Sequence, residues 1–182
     1  MNLKIKKFEQ DDWEDYKSIR LEALQTYPNV FLSNFDEEKL LPQSKWQDDL
    51  KDDSCAIFGV YDDDKIVGLT AVFTWRGDDT GQTAVLAMSY RNPDYRGSGM
   101  GQMFYEARID WAMHQPSLTK IRVSHREGNE PSRQANQKAG FKFVGKEMIT
   151  WPDGQEDWEY NYELDLIALR RDRKLTPKTL AT

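Results

Sequence analysis

The sequence predicts a mixed α/β domain of the α+β type, with a largely antiparallel central sheet of about seven strands flanked by about four helices. Three observations support this class. In two segments between Asp11 and Lys51, before Pro28 and after Pro42, the apolar residues recur at helical spacing, whereas residues 55–91 contain apolar runs of strand length separated by turns rich in Asp and Gly. A glycine-rich loop then joins an apolar run to a helical pattern. Two further strand-like runs close the chain around Pro152-Asp153-Gly154.

The N-terminal segment predicts one strand and two helices. Residues 3–8 alternate apolar residues with lysines, which is typical of a half-exposed strand. Asp12 offers an N-cap for a helix that Pro28 ends, and Pro42 opens a second, short helix. Residues 31–41, between these helices, predict a loop or a short irregular helix because their apolar residues have no clean period.

The middle of the chain predicts an antiparallel meander. Three consecutive runs, at residues 55–61, 65–75 and 83–91, are rich in apolar, β-branched and aromatic residues. Asp62-Asp63-Asp64 joins the first two, and a turn rich in Gly and Asp joins the last two. Short polar turns between such runs are the signature of hairpins.

The rest of the domain predicts alternating helices and strands. A helix follows the glycine loop, and residues 120–125 predict a strand. Pro131 suits the first turn of another helix, and Gly140 suits its C-terminal cap. Residues 141–151 and 158–166 then predict a second hairpin.

Length, charge and cysteine content restrict the class of function. A chain of 182 residues with 38% hydrophobic content is large enough for one domain with a substantial core. The net charge of −6 argues against a nucleic-acid-binding surface. Cys55 is the single cysteine, and no apolar stretch approaches the ~20 residues of a membrane span. We therefore expect a cytoplasmic protein that engages neither nucleic acid nor a membrane.

A change in composition separates residues 1–167, the predicted domain, from a basic C-terminal tail at residues 168–182. The tail contains five Lys and Arg residues but only one acidic residue, Asp172. A frayed, solvated tail is the preferred interpretation. The alternative is a segment that docks on an acidic partner or on the neighbouring subunit of a homodimer.

The glycine loop is the first candidate for chemistry. Gly97, Gly99 and Gly101 lie between the third strand of the meander and a helix. Because glycine has no Cβ, the chain can turn sharply there and bring unpaired amides close to a ligand. Amides at a helix N-terminus attract anions, phosphates above all, and Arg96 would add a bidentate cation. The alternative is a turn with a purely structural role.

Two motifs, in this order and on these elements, resemble the GCN5-related N-acetyltransferase (GNAT) superfamily. The first is the Arg96-x-x-Gly99-x-Gly101 loop, and the second runs from Asn129 through Ser132 to Gly140-Phe141. The resemblance covers residues 3 to about 166 and implies acetyl-CoA as co-substrate, without a metal. The implied cofactor contacts are Tyr90, Arg91, Asn92, Arg96, Gly97, Ser98, Gly99, Met100, Gly101, Asn129 and Ser132.

The resemblance leaves the catalytic groups open. Many members of the superfamily place a tyrosine, acting as general acid, where this chain has Asn136. We therefore predict His125 and Tyr90 as catalytic candidates, although packing roles in the core are the alternative for both. The substitution at Asn136 also keeps a second function open, a non-catalytic module that binds acyl-CoA and acts as a sensor.

Acidic and aromatic residues predict a cationic acceptor. In the superfamily the acceptor pocket is bordered by the segment between the first two helices and by the last hairpin loop. Here those regions carry the predicted acceptor contacts Asp36, Glu37, Trp151, Glu156 and Trp158. Carboxylates interleaved with aromatic rings suit a small-molecule or peptide amine. Ordinary solvated acids are the alternative interpretation.

Overall fold

The computed structural model describes residues 1–175 and contains one seven-stranded sheet. Its strands are β1 (Leu3–Lys7), β2 (Cys55–Asp62), β3 (Lys65–Thr74), β4 (Thr83–Arg91), β5 (Lys120–Arg126), β6 (Lys142–Thr150) and β7 (Glu156–Asp165). They are arranged in the order β1-β2-β3-β4-β5-β7-β6. Every neighbouring pair is antiparallel except β4 and β5, which are parallel. The predicted fold class is confirmed.

Within residues 1–175 six α-helices accompany the sheet, two more than the sequence predicted. They are α1 (Trp13–Thr26), α2 (Phe35–Glu38), α3 (Gln43–Lys51), α4 (Met100–Met113), α5 (Glu130–Lys138) and α6 (Leu166–Leu175). One of the additional helices, α2, is a single turn in the segment expected to be irregular. Among the described helices, none is long and apolar enough to cross a membrane.

Helices cover both faces of the sheet. Helices α1 and α3 pack on one face, where Ile19 and Trp46 join a cluster with Leu69 and Tyr90 of β3 and β4. Helices α4 and α6 pack on the other face, where α4 adds Ile109 and α6 adds Leu166 to the second cluster. The sheet is thus buried from both sides around β3 and β4, the strands nearest the glycine loop.

Helix α6 corrects the expectation of a frayed tail. Residues 166–175 are helical, so the predicted boundary at residue 167 lies inside a helix. Arg170 fixes this helix because its guanidinium donates to four main-chain carbonyls in the last turn of α4 and in the segment after it, at distances of 2.7–3.2 Å. A cation at the C-terminal end of a helix is also favoured by the helix dipole. The remainder of the predicted tail, residues 176–182, lies outside the described residues.

Candidate functional site

The site is organised around the place where β4 and β5 part. The two strands pair only from Thr83–Lys120 to Val85–Arg122. Beyond that register β4 continues to Arg91 and β5 continues to Arg126. Parallel strands that diverge leave the facing main-chain groups without strand partners, and an extended ligand can pair with such an edge.

An extra residue in β4 changes which face of the sheet the side chains after it point to. Leu69 pairs with Tyr90 and Ala71 pairs with Ala87, so two steps along β3 match three steps along β4. Met88 lies within the extra segment and has a φ of 53°, a conformation that non-glycine residues adopt seldom. Ser89 is consequently directed to the α4 side, whereas Tyr90 packs on the α1 side.

The glycine loop lies directly after β4 and ends in the first turn of α4. Gly97 and Gly99 have φ values of 76° and 85°, which are left-handed conformations that glycine adopts at little cost. Gly99 is the residue before α4, and no side chain caps the helix there. Within residues 1–175, the amides of Gly97 and Gly99 donate to no protein acceptor. Free amides at a helix N-terminus favour an anion, so the loop is a candidate anion site.

Two guanidinium groups lie beside this anion site. Arg96 is exposed at the loop, where its Nη2 is 3.4 Å from the Tyr27 hydroxyl. Arg91 Nη1 lies 3.9 Å from the position that a Cβ on Gly101 would occupy. An open groove of about 340 Å³ runs along the loop and is lined in part by Ser98, Gly99 and Gln102. Gly99 lines this groove, whereas Arg91 and Arg96 lie outside its lining.

Tyr90, predicted as a catalytic candidate, is 1% exposed and is bound to a carboxylate. Its hydroxyl donates to Glu22 Oε1 at 2.7 Å, and Asn92 Nδ2 donates to the same oxygen at 2.9 Å. Burial, together with the Glu22 carboxylate, raises the pKa of Tyr90 to about 12. The phenol therefore keeps its proton at neutral pH and directs it to Glu22, a residue of α1 that the sequence did not single out.

His125, the other predicted catalytic residue, lies on the part of β5 that has separated from β4 and is 7% exposed. Its Nδ1 is 2.8 Å from the Arg126 carbonyl oxygen, which can only accept, so Nδ1 carries the hydrogen in the neutral ring. The other nitrogen, Nε2, is then an acceptor 3.1 Å from the Tyr162 hydroxyl. The ring also stacks on Tyr160, with centroids 5.4 Å apart.

The sequence profile of the Acetyltransferase (GNAT) family matches residues 8–141, which is more than half of the chain. The chain belongs to the GNAT acetyltransferase family. The resemblance recognised in the two motifs is thereby confirmed, and acetyl-CoA is the co-substrate. No curated protein sequence matches this GNAT enzyme significantly.

Solved structures share the fold of this GNAT acetyltransferase. A GNAT-family acetyltransferase from Streptococcus pneumoniae has a TM-score of 0.78 and 18% identity, over 90% of this chain and 99% of that chain. A proposed acetyltransferase from Salmonella typhimurium, solved with its cofactor acetyl-CoA, has a TM-score of 0.73 and 16% identity over 91% and 95%. The aminoglycoside acetyltransferase AAC(6')-Ib, in complex with coenzyme A, has a TM-score of 0.66 and 16% identity over 94% and 99%.

The second motif of the GNAT enzyme forms α5 and its entry. Asn129 caps this helix, because its Oδ1 accepts from the Ser132 amide at 3.2 Å. Asn136, at the family's tyrosine position, is 1% exposed and accepts a hydrogen bond of 2.5 Å from the Tyr105 hydroxyl of α4. Its Nδ2 has no partner among the described residues. A phenol from α4 therefore contacts the side-chain amide of Asn136.

The predicted acceptor residues lie on α2, on β7 and just after β6. Asp36 is ion-paired with Lys39 at 2.6 Å within the short helix α2, next to Glu37. The Trp158 ring is covered by Lys146 Nζ, 4.1 Å from its centroid. Glu156 is exposed at the start of β7.

Arg126 binds the loop between β6 and β7. It forms ion pairs with two acids of the region where the sequence predicted a cationic acceptor. Its guanidinium contacts Asp153 at 2.6 Å and Asp157 at 3.0 Å. It also lies over the ring of Trp151, 5.2 Å from the centroid, and that ring is buried. The Arg126 guanidinium holds the pKa of both carboxyls below their usual range. Much of this loop's negative charge is thus neutralised locally.

A cavity that the sequence did not predict opens on the α1 and α3 face of the sheet. Its volume is about 350 Å³. It reaches Met88, the residue of β4 next to Ser89, and the Tyr16 hydroxyl lies 3.9 Å from the Met88 sulfur. The residues that line it include carboxylates and aromatic rings, among them Tyr16, Asp49, Asp52, Phe73, Trp75 and Met88.

Among the residues that the structure describes, no cluster of three or more potential metal ligands occurs.

Proposed function

We propose that this GNAT acetyltransferase transfers the acetyl group of acetyl-CoA to a primary amine, by direct attack within a ternary complex. The observation that carries the proposal is the separation of β4 from β5 immediately before the glycine loop. The free strand edge and the free amides lie at adjoining ends of one cleft. A long, extended cofactor with a pyrophosphate near its middle matches both features.

The cofactor is assigned along this cleft from the loop inward. The pyrophosphate binds the amides of residues 96–101, where Arg91 and Arg96 add positive charge. The pantetheine arm pairs with the main chain of β4 at Tyr90, Arg91 and Asn92. Asn129 and Ser132, at the start of α5, contact the far end of the cofactor.

Transfer to an amine requires that the amine first lose its proton, because an alkyl amine has a pKa of about 10.4. His125 is the better-placed base of the two candidates, since its Nε2 is an acceptor that only the Tyr162 hydroxyl occupies among the described residues. Tyr90 is less suited, because its proton is already donated to Glu22. Replacing His125 with Gln should therefore lower kcat, because an amide cannot take the proton from the amine.

The acceptor is a cationic amine that approaches from the α1 and α3 face. The cavity on that face adjoins Met88, and its lining contains the ring of Trp75 and two acids, Asp49 and Asp52, which pair with Lys45 and with Arg76 of the lining. Carboxylates attract the ammonium form of the acceptor, and an aromatic face adds a cation–π contact. Asp36, Glu37, Glu156 and Trp158 are retained as a second, outer set of acceptor contacts, on elements that do not line the cavity.

Two matched variants distinguish the two sets of acids. Asp49→Asn removes a carboxylate from the cavity, whereas Glu37→Gln with Glu156→Gln removes two exposed carboxylates outside it. Asp49→Asn should raise the KM for the acceptor several-fold and leave the KM for acetyl-CoA unchanged. If the outer double variant alone raises the acceptor KM, the cavity is not the acceptor site.

Release of free thiol from acetyl-CoA, measured across spermidine, kanamycin, tyramine and a lysine-containing peptide, tests the proposed function. Turnover with at least one of these amines is expected. The position of Asn136 favours one rival, the acyl-CoA sensor, because an amide cannot protonate a leaving thiolate. Tight binding of acetyl-CoA without turnover on the whole panel would support the sensor, and no binding would defeat both.

A further inference from the structure

Arg108 of α4 is a buried cation whose partners are all neutral. The residue is 2% exposed. Its Nε donates to the Phe104 carbonyl at 3.0 Å, its Nη1 donates to Ser89 Oγ at 2.8 Å, and its Cζ lies 4.8 Å from the centroid of the Tyr105 ring. Burial lowers the pKa of Arg108 to about 10, so the guanidinium remains charged at neutral pH.

Two other buried or half-buried arginines have partners that compensate their positive charge. Arg20 of α1 is 4% exposed and forms a two-point contact with the Glu38 carboxylate, at 2.7 and 2.9 Å. Arg170 binds carbonyls at the end of α4, where the helix dipole favours a cation. Arg108 has neither arrangement. A charge buried without an opposite charge is unfavourable, and such exceptions are concentrated at functional sites.

The position of Ser89 connects this cation to the cleft. Ser89 belongs to the section of β4 that lies beyond the last pair with β5, and it is exposed. Because its oxygen accepts a hydrogen bond from Arg108, its own hydrogen is available for another acceptor. The one neighbouring hydroxyl, Thr70 Oγ1, is at 3.4 Å, which is long for a hydroxyl pair. The hydroxyl can therefore turn its hydrogen towards the cleft.

A second donor near Arg108 is also unused, the side-chain amide nitrogen of Asn136. Tyr105, whose ring lies under the Arg108 guanidinium, donates to Asn136 Oδ1. Asn136 is 1% exposed, and its Nδ2 has no hydrogen-bond partner among the described residues. Among the described residues, these contacts thus join Ser89 of β4, Arg108 and Tyr105 of α4 and Asn136 of α5 into one group that carries a positive charge and contains no carboxylate. Such a group is built to receive negative charge.

We propose that Ser89 donates a hydrogen bond to the acyl oxygen of the bound thioester, and that Arg108 positions and polarises the Ser89 hydroxyl for this role. The inference rests on the proposed function. When the amine lone pair forms the C–N bond, negative charge develops on the acyl oxygen, and it moves to sulfur as the C–S bond breaks. The amine proton passes to a base or to water, and the thiolate takes a proton from solvent. Arg108 gives up no proton; it contributes a fixed charge.

A double-mutant cycle tests the pair. Removing one donor to a developing oxyanion typically lowers kcat by about 100-fold or more. We expect Ser89→Ala and Arg108→Met each to lower kcat at least tenfold, with the KM for acetyl-CoA changed less than threefold. Because the two groups act as one unit, the double variant should be no slower than the slower single variant. Multiplicative losses in the double variant would refute the coupling.

Two controls separate this role from simple loss of structure. Arg20→Met removes another buried arginine, so it should lower the melting temperature and leave kcat within about threefold of wild type. In Arg108→Ala, millimolar guanidinium chloride should restore part of kcat, whereas it should not restore Ser89→Ala. If Arg108→Met cannot be purified folded, Ser89→Ala and Arg108→Lys carry the test. An unchanged kcat in Ser89→Ala overturns the inference, whereas a wild-type protein without any turnover refutes the proposed function instead.

Discussion

Gly101→Ala tests whether position 101 requires glycine for the backbone fold or for close approach of the cofactor. Gly101 is helical, and a Cβ there would meet only Arg91 Nη1 at the ordinary contact distance of 3.9 Å. The substitution should therefore be tolerated by the fold, and it gains up to about 1 kcal/mol in helix propensity. If the pyrophosphate lies against this amide, however, the added methyl group blocks its approach. We expect the Kd for acetyl-CoA to rise at least tenfold, which is about 1.4 kcal/mol.

Gly99→Ala is the matched variant. A Cβ at Gly99 would meet nothing within 4 Å, but the residue has a φ of 85°. The substitution costs about 1–2 kcal/mol in backbone strain, which lowers the melting temperature by about 2–4 °C for each kcal/mol in a chain of this size. Thermal unfolding and calorimetric titration with acetyl-CoA give both quantities for each variant. Wild-type affinity in Gly101→Ala would refute the placement of the pyrophosphate.

Three further predictions concern stability and pH. Glu38→Gln leaves buried Arg20 without its carboxylate and should lower the free energy of unfolding by about 3 kcal/mol in urea titrations. Arg170→Ala should lower it by about 2 kcal/mol because four carbonyls lose a donor, whereas Arg171→Ala, on an exposed position, should change it by less than about 0.5 kcal/mol. Since the pKa of Tyr90 is raised from 10.0 to about 12, the unfolded chain ionises first, and stability should fall as the pH rises through that window. Tyr90→Phe should flatten this dependence.

The strands and the cofactor loop were predictable because they depend on local patterns. Alternating and continuous apolar runs gave the meander, and the Asp- and Gly-rich turns marked its hairpins. Gly140 was placed correctly as a helix C-terminal glycine, since its φ is 90°. The glycine loop needed only a strand before it and a helix after it. These features are set by residues close together in the chain.

The features that were missed depend on contacts distant in sequence. Arg108 lies on the core side of α4. From the sequence alone a helical arginine is expected at the surface, and only the fold shows its hydrogen bond to Ser89. Arg170 stood in a basic segment that composition alone assigns to a solvated tail, and its four carbonyl partners lie more than 50 residues away. The last hairpin was predicted to border a cationic acceptor, but its acids Asp153 and Asp157 pair with Arg126, which is remote in the sequence. Pairing of this kind leaves no local signal.

The extra residue at Met88 has a consequence for comparison and for design. Ala84 and Leu86 face α4, so strict alternation would direct Tyr90 to α4 and Ser89 to α1. The insertion exchanges these two assignments. An alignment that places no gap here therefore matches side chains from opposite sides of the sheet. Deleting Met88 would restore strict alternation from Ala84 onwards and leave Ser89 towards α4 and Tyr90 towards α1, so the extra residue can be removed without exchanging these two side chains, whereas inserting one further residue would exchange them.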